Sequence, residues 1–285
     1  MVMSAFQEGD SVAETVGSVR SAAVRPREIV VVDDGSTDGG CDRDWPPSVR
    51  VLRQDHIGIA AARNLGARAA RQPVIVFLDA HCTVDPGWLA PLVAVLERAP
   101  DALVGPAVRD SGDPRFVGCG AEIVDPLLTY RWRPAAGGGQ EVGLVPGGCL
   151  AVVRDRFLAQ GGFAPFTGFG LEDVELALRW WRLGRPLLGA PESGVVHRFR
   201  NVPPYPADHL AWLQNVLRTA LLHLPGPYLR ACVLACARFP SFPSAVATVL
   251  AEPWVPAHSR LLAAEARTVT AYVDRWAPGA FPAPA

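Results

Sequence analysis

Asp79-Ala80-His81 closes an apolar run, Val74 to Leu78, that reads as a buried strand. A carboxylate and an imidazole two residues apart can turn toward one point where the backbone leaves its regular pleat, as it does beyond a strand end. Carboxylate oxygen with neutral imidazole nitrogen suits a borderline divalent cation such as Mn²⁺, with Mg²⁺ as the alternative. Two ligands do not make a site, and most such triplets are ordinary loop residues, so a third is needed. His197 is the best placed: it ends a later apolar segment and precedes Arg198 and Arg200.

Two more clusters carry carboxylates. Asp33-Asp34-Gly35-Ser36 follows the β-branched run that ends at Val32. The plain reading is an acidic turn. The functional reading is that one acid accepts the N–H of a uracil ring while a neighbouring group accepts a ribose hydroxyl. No Gly-x-Gly-x-x-Gly follows the first or second strand, so a bound diphosphate would need counter-charge from a divalent ion and arginines. Arg63 and Arg200 are available. Glu172-Asp173 opens a helix after Gly168-Phe169-Gly170. Helix-dipole stabilisation suffices to explain acids there; they could also take the proton of an attacking hydroxyl or orient a sugar.

The elements that must position these groups alternate. Strands are expected at Val2 to Phe6, Glu28 to Val32, Val49 to Arg53, Val74 to Leu78 and Ala102 to Val108. Helices are expected at Ser11 to Val24, Ile57 to Arg71 and Gly87 to Arg98. Continuous apolar strands separated by helices predict a parallel sheet covered on both faces, with ligands beyond the carboxyl ends of the strands. Further on, Gly137-Gly138-Gly139 marks a loop tip, Val145 to Val153 a strand after Gly147-Gly148, and Pro186 to His197 a strand and turn. Beyond Tyr205 the pattern is helical, with one stripe through Leu210, Leu213, Leu217, Ala220, Leu221 and Leu224. Trp88, Trp180 and Trp181 read as core.

Composition narrows the chemistry. The net charge is -1, which gives no broad nucleic-acid surface. The 27 basic residues are all arginine, so any enzyme needing a Schiff-base or P-loop lysine is excluded. Six scattered cysteines without CxxC spacing indicate neither a zinc ribbon nor a disulfide framework, and point to a reducing, cytoplasmic setting. MVMSAFQEGD has no basic n-region or apolar core, so no signal peptide is expected. A mean hydropathy of +0.17 leaves room for peripheral membrane contact.

Five ordered segments carry a resemblance: MVMSAFQE at 1–8, VVVDDGSTD at 30–38, GIAAARNLG at 58–66, FLDAHCTVDPGWL at 77–89, and His197-Arg198-Phe199-Arg200. The first half resembles family 2 glycosyltransferases of the GT-A fold. The D-x-H triplet, the Gly147-Gly148 strand and the H-x-F-R segment resemble the polypeptide N-acetylgalactosaminyltransferases. The resemblance implies an α/β GT-A fold, a Rossmann-like, mostly parallel sheet flanked by helices with a helical C-terminal tail. Residues 1–104 would hold a UDP-sugar, 105–205 would complete the metal and acceptor side of the same domain, and 206–285 would be an extension.

It also implies site roles. Asp79, His81 and His197 would be the Mn²⁺ ligands. Asp33 or Asp34, with the backbone of Ala5 and Phe6, would receive uridine, with Glu8 near the ribose. Ala80, Arg63, Arg200 and Tyr205 would contact nucleotide or diphosphate, and Glu172 and Asp173 would lie where donor sugar and acceptor meet. Position 173 departs from the polypeptide transferases, which carry Asn there. Glu-Asp is the pair of inverting family 2 enzymes, whereas D-x-H belongs to retaining ones. The expectation is therefore sugar transfer from a UDP-sugar to a peptide or small-molecule acceptor, with Asp173 as base and inversion. Retention is the alternative. A nucleotidyltransferase or a non-catalytic nucleotide-sugar-binding protein are rivals. The C-terminal helices would suit a homodimer contact.

Overall fold

The computed structural model describes residues 1–113, 115–135, 140–200, 202, 204–206, 208–253 and 265–282. The Gly137-Gly138-Gly139 tip lies outside the described residues. The chain begins β1 (Val2–Ala5), α1 (Ser11–Ser21), β2 (Ile29–Asp33), β3 (Val49–Arg53), α2 (Ile59–Ala69), β4 (Val74–Leu78), β5 (Cys82–Val84) and α3 (Leu89–Arg98). It continues β6 (Leu103–Asp110), β7 (Val117–Ile123), β8 (Tyr130–Pro134), β9 (Gln140–Glu141), β10 (Cys149–Val153), α4 (Arg154–Ala159), α5 (Glu172–Arg182) and β11 (Leu187–His197). Then follow α6 (His209–His223), α7 (Gly226–Cys236) and α8 (Phe242–Ala251); the last described helix, α9, is Val269–Trp276.

One sheet runs β3-β2-β1-β4-β10-β6-β11-β5. The parallel expectation holds for β3-β2-β1-β4; α1 links β1 to β2 and α2 links β3 to β4, while residues 34–48 join β2 to β3 without a helix. Beyond β4 the sheet is mixed. β10 enters antiparallel between β4 and β6, β11 returns parallel to β6, and β5 closes the edge antiparallel to β11. β10 is reached from β6 through β7, β8 and β9 with no helix among the described residues between, so its direction is free to reverse. Where a strand and a turn were expected, β11 runs unbroken from Leu187 to His197, with a bulge that shifts its register between Ala190 and Gly194.

Strand alternation divides the core in two. Val2, Val30, Val32, Ile75 and Phe77 pack toward α2, α5 and α6, while Met3, Val31, Val76 and Leu78 pack toward α1 and α3. That double burial is why these strands read as unbroken apolar runs. Trp88 and Trp180 are fully buried and Trp181 nearly so, as expected. The α6 stripe buries Leu213, Leu217, Ala220 and Leu224, with Asp208 capping the helix through the Ala211 N–H at 2.9 Å. All six cysteines are free and buried. No helix among the described residues is long and apolar enough to cross a membrane.

Candidate active site

Strand pairing assembles the trio. β5 leaves the Asp79-Ala80-His81 turn and pairs with β11 so that Cys82 faces His197, while the Arg198 N–H donates to the His81 carbonyl at 3.1 Å. On the other side, β10 pairs with β4, and the Asp79 N–H donates to the Gly148 carbonyl at 3.0 Å. One ligand atom from each of Asp79, His81 and His197 then lies within 4.8 Å of the others. His197 Nε2 is 3.4 Å from Asp79 Oδ2, and the two imidazoles meet edge to face at 4.7 Å. Gly148 makes room: a Cβ there would stand 3.2 Å from Asp79 Oδ2 and 3.3 Å from the His197 ring.

The surroundings suit a cation. His81 Nδ1–H donates to Glu8 Oε1 at 3.1 Å, which leaves Nε2 with its lone pair outward. Arg200 donates to the other Glu8 oxygen at 2.7 Å. Burial opposes ionisation of Glu8, yet these two hydrogen bonds hold its carboxyl below the ordinary range. Burial likewise opposes Asp79, and the Arg63 guanidinium with the His197 contact overcomes it, holding Asp79 well below the usual carboxylate range. One ionised carboxylate with two half-buried imidazoles is a donor set that fits a divalent ion of the Mn²⁺ type.

Arg63 lies on the floor of this cleft, 2 % exposed. Its guanidinium donates to Asp79 Oδ1, Glu172 Oε1 and the Gly147 carbonyl, each at 2.8 Å. It joins Asp79 to the carboxylate pair from behind, and it lines the larger recess. Glu8, bonded to His81 and Arg200, also lines the smaller recess. Asp173 Oδ2 accepts the Gly147 N–H and Oδ1 the Val174 N–H, both at 2.8 Å. Glu172 Oε2 is buried with no partner. Burial and then the charge of Asp173 push Glu172 up to about 7. Burial raises Asp173 as well, against the Gly147 N–H and the charge of Arg63. Two like charges side by side cannot both ionise cheaply, so the pair favours holding a shared proton.

Two recesses share this centre. Ala5, Phe6, Glu8, Asp34, Ala80, His81 and Tyr205 line the smaller, with Asp79 between the two. Asp34, and not Asp33, faces it; Asp33 turns to the other side, where it accepts the Ser36 N–H at 2.9 Å. The larger, about 680 Å³, holds Arg200, His197, Glu172 and Asp173 and is walled by Trp132, Phe169, Phe199, Trp212 and Phe239.

Sequence reasoning missed those aromatic walls and His56, which stacks on Phe6 with ring centroids 3.8 Å apart. His56 follows β3 as Asp34 follows β2; a titratable group just past a strand end was the available signal. Trp212 and Phe239 come from the helical tail and carried no signal.

Residues 1–118 match the glycosyl transferase family 2 model. The crystal structure of GalNAc-T7 with UDP, GalNAc and Mn²⁺ superposes with a TM-score of 0.79 at 21% identity, covering 97% of this chain and 56% of that one. The fold is GT-A. A mannosyltransferase from Pyrobaculum calidifontis, in complex with GDP-Man and Mn²⁺, superposes over 97% of this GT-A chain and 86% of its own, with a TM-score of 0.55 at 19% identity. In sequence, the chain resembles polypeptide N-acetylgalactosaminyltransferase 11 of Xenopus tropicalis. They are 32% identical over 234 residues, which is 72% of this chain and 39% of that protein. The GT-A chain thus spans well under half the length of the curated relatives it matches.

Proposed function

We propose that this chain is a metal-dependent glycosyltransferase that moves a sugar from a UDP-sugar to an acceptor hydroxyl or thiol. The observation that carries this is the convergence, in one cleft, of Asp79, His81 and His197 with the Glu172-Asp173 pair. Asp79, His81 and His197 would hold the divalent ion, which supplies positive charge beside the departing diphosphate. Arg200, which lines the larger recess and is bonded to Glu8, adds to that charge. The smaller recess takes the nucleotide, and the aromatic cleft takes the acceptor.

Asp173 is the base in this reading. Its two backbone N–H donors and Arg63 favour the anion, and it lines the cleft where an acceptor would enter. Glu172, carrying the shared proton, can donate to a donor-sugar hydroxyl. Base catalysis by Asp173 gives inversion. Similarity to the polypeptide N-acetylgalactosaminyltransferases favours the second reading, retention with a peptide acceptor. Six buried free thiols accord with a reducing, cytoplasmic setting.

A donor panel with Mn²⁺, read by UDP release and followed by NMR of the product's anomeric configuration, tests both. Asp173→Asn should cost at least ~10²-fold in rate if Asp173 is the base. Retention, or turnover close to wild type in Asp173→Asn, removes it from that role. No UDP release with any donor or acceptor would leave the nucleotidyl-transfer and binding-protein rivals.

A further inference from the structure

The smaller recess is tight for a nucleoside. Its volume is about 100 Å³, against roughly 300–1,000 Å³ for ordinary small-molecule pockets. His56 accounts for much of the difference. Its imidazole lies over Phe6 at 3.8 Å with the planes 13° apart, the geometry of a stacked base. Its Nδ1–H donates to Asp34 Oδ2 at 2.9 Å, as the ring N–H of a uracil would.

Asp34 has no lone pair to spare for a base. Oδ1 accepts from Gln54 Nε2 at 2.6 Å and the Ile57 N–H at 3.1 Å. Oδ2 accepts from His56 and from the Gly58 N–H at 2.9 Å. A carboxylate offers about four acceptor positions, so an incoming N–H must displace one of these donors. Two are main-chain amides at the entrance to α2, where Gly58 also bridges to Gly168. Gln54 reaches Asp34 from outside the recess. Only the His56 side chain lines the recess, stacks on Phe6 and is half exposed. Its backbone is seated on Gly35 (φ +82), where a Cβ would stand 2.9 Å from His56 N. The ring can therefore swing while the loop stays.

We propose that His56 stands in for the nucleobase: its imidazole occupies the face of Phe6 and the open position on Asp34 until a base displaces it. The inference rests on reading this recess as the nucleotide site. The ligand it selects is a nucleoside diphosphate whose base presents a ring N–H beside a flat face.

The test is calorimetric titration of the Mn²⁺-loaded full chain with UDP, for wild type and for His56→Ala. Removing the competing stack and hydrogen bond should tighten UDP binding by about 3- to 10-fold. Proton NMR should show the His56–Phe6 ring contact in the free protein and its loss on adding UDP. UDP binding that is unchanged or weaker in His56→Ala, or a ring contact that persists in the complex, overturns the stand-in and leaves the nucleotide site intact. Absence of UDP binding to either protein overturns the nucleotide site and the stand-in together.

Discussion

The carboxyl ends of β2 and β4 flank β1, and each carries an acidic cluster, yet the two are wired differently. At β2, the Asp33-Asp34 carboxylates are consumed nearby: Asp33 Oδ1 by the Ser36 N–H, and Asp34 by Gln54, His56, Ile57 and Gly58. At β4, Asp79 Oδ1 receives one guanidinium N–H, and Oδ2 faces the His197 ring at 3.4 Å with no backbone donor in between. Both ends are acidic turns after buried strands. What separates the two ends is the lone pairs left over once the local donors are satisfied: Asp79 keeps one turned into the cleft, and Asp34 can receive a ligand only by releasing a donor.

The largest expected effect is at β4. His81→Ala removes one of three ligands and should weaken Mn²⁺ binding and slow UDP release by at least ~10²-fold. Manganese titration and a rate assay read both; values near wild type would break the contrast between the two ends. At β2, Asp34→Asn should instead act on stability. It takes charge from a carboxylate that accepts four hydrogen bonds and should lower unfolding free energy by about 1–3 kcal/mol, with Mn²⁺ affinity within about twofold of wild type. A large loss of metal affinity there would show that the ends are coupled.

The smallest effect concerns Glu172, whose Oε2 is itself a leftover acceptor. Its folded pKa, about 7, lies above the ordinary 4.5 because of burial and the charge of Asp173. Between those values the folded chain holds a proton that the unfolded chain has released, so stability falls as pH rises through that window. Glu172→Gln should flatten that fall, by an amount on the order of 1 kcal/mol. Denaturant titrations at pH 4.5 and 7.5 compare the slopes; equal slopes in both proteins would mean Glu172 is ionised throughout.

Much of the first half was legible because its signals are local. Val49–Arg53 and Val74–Leu78 fall at their expected bounds; β4, buried on both faces, is apolar at every position, while the edge strand β3 carries Arg50 and Arg53 among its apolar residues. The D-x-H triplet and the H-x-F-R segment were visible as motifs, and the Glu172-Asp173 pair as a helix start. The β10 insertion was not legible, because strand direction depends on where a long loop lands. Nor was the aromatic cleft, whose walls come from β8, the 168–170 turn, the segment just past β11, α6 and the turn between α7 and α8.

From the sequence came the candidates for ligating and proton-carrying groups, and the strand ends that hold them. Side-chain chemistry and apolar period are properties of short stretches. Tertiary structure decided which of those groups remain available. Arg63 is a buried link between Asp79 and Glu172. Asp34 was separated from Asp33, and His56 was set on Phe6. Availability depends on which donors arrive from 16 or 109 residues away, as they do for Arg63, and only the folded chain brings them.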